Sequence, residues 1–207
     1  MTLTLKHIFK QGSDPSQPLL LLLHGTGGTE NDLIPLAQRL APTASILGVR
    51  GAVLENGMPR FFRRLAEGVF DEPDLIARTH ELNTFLDEAA VEYGFDRRNI
   101  VAVGYSNGAN IAASLLFHDN QSLKGAVLHH AMVPLRSVTV PDLSGIPIFM
   151  GSGTNDPIIP RAETEELAKY FVDAQANLHL HWENYGHQLT ATEVEAAVQW
   201  YNQQFVS

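Results

Sequence analysis

Residues 99–117 read "NIVAVGYSNGANIAASLLF", and the fold turns on how this stretch changes character halfway along. The apolar run Ile100, Val101, Ala102, Val103 is what a strand buried on both faces carries. It stops at Gly104, and a helical pattern with the small residues Ala109, Ala112 and Ala113 follows almost at once. At the corner stands Ser106, inside the pattern G-x-S-x-G (Gly104 to Gly108). A serine held on so tight a strand-to-helix turn projects its hydroxyl above the sheet, and the flanking glycines avoid collision with the neighbouring chain. The amides that open the helix point toward any negative charge forming there. Ser106 is therefore the candidate nucleophile; the plainer alternative is an ordinary glycine-rich turn.

On either side of this corner, strands and helices alternate. Residues 2–10 alternate in polarity as a half-buried edge strand would, and "LLLLLHG" reads as a strand buried on both faces. "ENDLIPLAQRL" reads as a short amphipathic helix interrupted by Pro35, and "ASILGVRG" as a third strand. Residues 51–72 fit no clean period and read as a long loop with a helical turn, a type that is commonly functional. A helix is expected over residues 73–93, stopped by Gly94. Strands follow in "LKGAVLHHAM", "GIPIFMGSG" and "ANLHLHWENYG", with a helix in "RAETEELAKYFVDA". A last helix, 191–205, opens on Thr190-x-x-Glu193, a capping-box pattern. This order implies an α/β fold, a mostly parallel central sheet with helices on both faces, in a single domain over residues 1–207. In such sheets ligands bind beyond the carboxyl ends of the strands.

That edge selects the partners. A serine hydroxyl needs a base to take its proton and an acid to orient that base. Asp156 sits in a loop just past the strand "IPIFMGSG", and His187 in the loop between the last strand and the Thr190 cap. Serine, acid, histidine is the chain order expected on an α/β-hydrolase. Asp142 and Asp173 fall at the opposite edge. For the oxyanion that acyl transfer develops, the amides of Thr26 and Asn107 are the candidate donors, one from the early strand–helix loop and one directly after the nucleophile. His24 is expected to hydrogen-bond structurally rather than act as a base. Met58, Phe61 and Phe62 are candidate substrate-binding residues lining an acyl or aromatic pocket, with anchoring of the loop to the core as the alternative. Arg60, Arg63 and Arg64 are expected to pair with Glu67, Asp71 or Glu72 in preference to binding an anionic substrate.

Composition narrows the classes further. The chain of 207 residues is 44% hydrophobic and carries a net charge of −9, which argues against nucleic acid as a partner. With no cysteine, there is neither a disulfide nor a thiol nucleophile. His179 and His181 alternate onto one face of a strand, while His129 and His130 are expected to point to opposite faces. No clear third ligand accompanies them, so neither metal nor other cofactor is expected. The start shows no secretory pattern, and the run Leu19 to Leu23 is far short of a bilayer span. The expectation is a cytoplasmic protein without stable membrane insertion, acting on a small-molecule ester; a homodimer is left open.

Together, "LLHGTGG", "GYSNG", "GTNDPIIP" and "YGHQL" resemble the carboxylesterase/phospholipase branch of the α/β-hydrolases, which includes acyl-protein thioesterase-like enzymes. The stretch "RGAVLENGMPRFFRRLAEGVFDEPDL" is similar to a narrower bacterial subgroup, some of whose members are encoded alongside hydroquinone dioxygenases in quinone-stress responses. The resemblance covers nearly the whole chain and implies a compact sheet without a separate cap domain. The activity it implies is that of a serine carboxylesterase working through an acyl-enzyme. Thioesterase or lysophospholipase action, amide cleavage, and a non-catalytic binding protein on the same fold are the rival readings. Dienelactone hydrolases share much of this layout but carry cysteine where Ser106 stands. In the acyl-protein thioesterase branch a glutamine usually follows the nucleophile, where this chain has Asn107. A histidine base must be neutral to accept a proton, so activity is expected to climb somewhere across about pH 6–8.

Overall fold

The computed structural model describes residues 3–206. Strands β1 (His7–Lys10) and β2 (Leu19–Leu23) come first, followed by helix α1 (Ile34–Leu40) and strand β3 (Ile46–Val49). Two hairpins follow: β4 (Val53–Glu55) with β5 (Met58–Arg60), then β6 (Arg64–Ala66) with β7 (Val69–Phe70). The rest alternates: α2 (Glu72–Tyr93), β8 (Ile100–Tyr105), α3 (Asn107–His118), β9 (Gly125–His129), β10 (Pro147–Gly153), α4 (Arg161–Asp173), β11 (Asn177–Glu183) and α5 (Ala191–Phe205). One seven-stranded sheet runs β1-β3-β2-β8-β9-β10-β11. Within this sheet, among the described residues, only the edge strand β1 is antiparallel to its neighbour. The chain thus has the α/β-hydrolase architecture, with β8 at the centre of the sheet.

The side-chain alternation of the strands separates two apolar cores. Leu19, Leu21, Leu23 and Ala102 pack with Leu82 of α2, Ile111 of α3 and Leu167 of α4. The opposite face, Leu20, Leu22, Val101 and Val103, packs with Leu36 of α1 and with Trp200 and Tyr201 of α5. Both faces are covered, which is why β2 and β8 read as continuous apolar runs rather than alternating ones.

Three expectations need correction. Residues 51–72 are not a loop with a helical turn but the two hairpins. Asn56 and Gly57 (φ 52° and 80°) close the first, the residue pair that a two-residue turn with positive φ at both positions demands. Strands of two or three residues carry too little alternation to register as periodic. Pro35 does not interrupt α1 but sits in its first turn, where no amide needs an intrahelical partner. The edge strand covers only His7–Lys10 of the 2–10 expected; residue 2 lies outside the described residues.

Candidate active site

The corner between β8 and α3 is tight because three features coincide. Ser106 has φ 51° and ψ −113°, a sparsely populated conformation for a residue with a Cβ. At Gly108 any Cβ would overlap the carbonyl oxygen of Leu23, and at Gly104 a Cβ would lie 2.6 Å from the Cα of Ala109. Glycine at both sites lets α3 start against the ends of β2 and β8. The Ser106 amide is tied to the carbonyl of His129 at 2.8 Å, which fixes the turn and aims the hydroxyl off the sheet edge.

His187 and Asp156 come from the loops after β11 and β10, and both reach that edge. His187 Nε2 lies 3.0 Å from Ser106 Oγ, and its Nδ1 lies 2.7 Å from Asp156 Oδ2. The other carboxylate oxygen, Oδ1, accepts the amides of Ile158 and Ile159 at 2.8 and 3.0 Å. Burial pushes the Asp156 carboxyl up, but His187 and these two amides more than offset it and hold it below the usual carboxylate range. Tyr105 donates its hydroxyl to the His187 carbonyl at 2.7 Å and so pins the histidine loop. Its phenol is pushed up to about 12 by burial and by the charges of Asp156 and Glu193.

Among the described residues the main-chain amides of Thr26 and Asn107 meet no acceptor, while their neighbours do: the Gly27 amide donates to Pro59 O at 2.9 Å. Two unsatisfied donors beside a nucleophile can receive a developing oxyanion. The side chain of Asn107 does something the sequence did not suggest. Its Oδ1 accepts the Phe61 amide at 2.7 Å, clamping the hairpin segment onto the start of α3. His24 is structural, as expected. It is buried, its Nδ1 lies 2.6 Å from Gly25 O, and its Nε2 accepts the Gly51 amide at 3.0 Å.

Above Ser106 opens a cavity of about 420 Å³ lined by Arg60, Arg64, Phe70, Met132, Ile158 and Ile159 among others, with Ser106, Thr26, Asn107 and His187 at its base. Met58, Phe61 and Phe62 do not line it. Phe61 and Phe62 are 4% and 0% exposed and belong to the main core, and Met58 lies in the first hairpin against Gly27. The pocket expectation fails because the connection between the two hairpins turns these aromatic rings inward, Phe62 against Phe70 edge-on at 5.0 Å. Phe70, at the end of the second hairpin, takes the place they were expected to fill. The arginines do pair, but not all as expected: Arg63 with Asp71 at 3.0 Å, and Arg60 and Arg64 both with Glu55 at 3.1 and 2.9 Å.

One cluster went unread in the sequence. Glu193, fully buried, does not complete a capping box. Its amide donates to the Thr190 hydroxyl oxygen at 3.1 Å, but its carboxylate turns inward to His129 Nδ1 at 2.5 Å and His130 Nε2 at 3.1 Å. The expectation that His129 and His130 point to opposite faces is overturned here. His130 has φ 53°, which takes it out of strand geometry and lets both rings converge on one carboxylate. His130 Nδ1 then lies 3.1 Å from Asp156 Oδ2. His130, Asp156 and His187 are also the one group among the described residues whose ligand atoms lie close enough to hold a metal. A metal there would have to displace the hydrogen bonds that Asp156 Oδ2 accepts from both imidazoles.

Known proteins share this arrangement of strands and loops. Residues 6–204 match the phospholipase/carboxylesterase family. MhqD of Bacillus subtilis (strain 168), named as a hydrolase, is 55% identical over 98% of this chain and 100% of its own. The crystal structure of a Bacillus cereus carboxylesterase superposes with a TM-score of 0.96 at 65% identity, covering 97% of this chain and 95% of that one. Acyl-protein thioesterase 1 of Cryptococcus neoformans is 26% identical over 77% of this chain and 74% of its own.

Proposed function

The chain belongs to the phospholipase/carboxylesterase family of the α/β-hydrolases, and from that premise we propose that it is a serine carboxylesterase in which Ser106, His187 and Asp156 act together. The observation that carries the reading is the unbroken run of contacts Ser106 Oγ to His187 Nε2 at 3.0 Å and His187 Nδ1 to Asp156 Oδ2 at 2.7 Å. Ser106 attacks the ester carbonyl and His187 takes its proton. Asp156 keeps that imidazole in the tautomer whose Nε2 is free. Negative charge on the carbonyl oxygen is met by the Thr26 and Asn107 amides. His187 returns the proton to the departing alcohol, and water, activated by the same imidazole, releases the acid.

The cavity over Ser106 is mixed in character, lined by the apolar Phe70, Met132, Ile158 and Ile159 and by the charged Arg60 and Arg64. A pocket of about 420 Å³ fits a small ester better than a long acyl chain. The likeness to a carboxylesterase and to an acyl-protein thioesterase makes the leaving group the open variable. We expect p-nitrophenyl esters of two to four carbons to have the highest kcat/KM, with at least a tenfold fall by eight carbons, and a parallel series of thioesters to show the same length dependence. Rising kcat/KM out to long chains would contradict the pocket assignment. Among the described residues no helix is long and apolar enough to cross a membrane.

A further inference from the structure

We infer that His130, wedged between Glu193 and Asp156, is a positioning residue for the candidate triad: as a buried cation it holds Asp156 Oδ2 facing His187 and offsets part of that carboxylate's charge. The inference rests on the serine-hydrolase reading above and deepens it.

Hydrogen-bond bookkeeping requires the cation. Both ring nitrogens of His130 face carboxylate oxygens, Nδ1 to Asp156 Oδ2 and Nε2 to Glu193 Oε2, each at 3.1 Å. A neutral imidazole carries one N–H, so one of these contacts would set a lone pair against a carboxylate in a site shielded from water. His130 and Glu193 are 0% exposed, which makes that repulsion costly. Burial alone would strip the proton from His130, but the hydrogen bonds and charges of Glu193 and Asp156 more than offset it and raise its proton affinity above the ordinary histidine value. Burial pushes the Glu193 carboxyl up, and the two histidines draw it down to about 2. Asp156, Glu193 and the imidazolium between them therefore carry a single net negative charge.

The remaining groups around the ring fit this assignment. The His187 ring lies 5.1 Å away and Tyr105 5.9 Å away, centroid to centroid, both edge-on. His129 donates its Nδ1–H to the other Glu193 oxygen, and its Nε2 has no hydrogen-bond partner among the described residues. Asp156 Oδ2 thus receives two N–H groups, one from the partner of Ser106 and one from a fixed cation behind it. Each additional donor removes rotational freedom from the carboxylate. The cation also offsets part of the Asp156 charge at the oxygen that meets His187. His130 does not line the substrate cavity, so its effect reaches catalysis only through Asp156.

The test is the pH profile of kcat/KM for the wild type, His130→Gln and Glu193→Gln, with thermal melts to establish folding. Removing the cation leaves Asp156 acting on His187 alone. The acidic limb of the profile should then move up by about one pH unit in His130→Gln, with kcat near neutral pH falling about tenfold and KM changing less than about twofold. Glu193→Gln withdraws the charge that keeps His130 protonated and should move the limb the same way. A merely structural role would lower the rate at every pH and leave the limb in place; that result in folded variants overturns the inference. Should both variants fail to fold, nitrogen NMR of the wild-type imidazoles decides it. His130 is expected as the doubly protonated cation throughout pH 6–8, and a neutral tautomer there would refute the assignment. Failure of the underlying reading looks different, because Ser106→Ala would then retain turnover and both claims would fall together.

Discussion

Ser106→Ala is expected to abolish hydrolysis of a short p-nitrophenyl ester, lowering kcat by about 10⁶-fold, while the protein still folds and melts close to the wild type. The asymmetry follows from what the hydroxyl touches. Among the described residues its one side-chain hydrogen bond is to His187 Nε2 at 3.0 Å, at the base of a cavity rather than in the core. The turn itself is held by main-chain bonds, Ser106 N to His129 O at 2.8 Å and Asn110 N to Ser106 O at 3.0 Å, and alanine keeps both. Loss of one partly exposed hydroxyl costs little stability, yet it takes away the hydroxyl that His187 Nε2 meets at the base of the cavity. Residual turnover would come from the Thr26 and Asn107 amides acting on bound substrate with water as nucleophile. Steady-state hydrolysis beside a thermal melt measures both halves of the expectation. A variant hydrolysing the ester at the wild-type rate would show that another residue attacks.

Asp156→Asn should lower kcat by about 10⁴-fold with little change in KM, because Asp156 lies behind His187 and does not line the cavity. The mechanism is a tautomer reversal. Asp156 Oδ2 accepts from His187 Nδ1 at 2.7 Å and from His130 Nδ1 at 3.1 Å, while Oδ1 is occupied by the Ile158 and Ile159 amides. An asparagine whose oxygen stays with those two amides turns its NH2 toward the histidines. His187 must then accept at Nδ1 and carry its proton on Nε2, where it can no longer take the proton of Ser106. Stability should also drop, since His130 loses one of its two carboxylates. The kinetic loss must therefore be read on protein shown to be folded at the assay temperature. A loss below about tenfold in folded protein would mean that Asp156 does not orient the base.

The parts legible in the sequence are those fixed by short, local constraints. Gly104, Ser106 and Gly108 announce a corner because only glycine fits beside β2 and α3. Asp156 and His187 could be chosen over Asp142 and Asp173 because they follow the carboxyl ends of their strands. What stayed hidden depends on single backbone angles and on distant partners. His130 leaves strand alternation at φ 53°, so a period-two reading assigned it the wrong face and separated it from His129. Glu193 stands three residues after Thr190, where a local motif accounts for it, and nothing local says that its carboxylate turns inward to β9. One signal for the hairpins was available: Asn56-Gly57 is a strong two-residue turn pair, and recognising it would have split residues 51–72 before the inward direction of Phe61 and Phe62 was asked. Asn107 stands where its backbone amide was expected to matter, and its side chain turns out to bind the Phe61 amide.

The central claim is that Ser106 is the group that becomes acylated. Its most direct test is to treat the protein with a fluorophosphonate, measure the intact mass, and locate the adduct by peptide mass spectrometry. The account predicts a single adduct per chain on the peptide carrying Gly104 to Gly108, absent in Ser106→Ala. An adduct on another residue, or protein that hydrolyses esters yet takes up no label at Ser106, would contradict it.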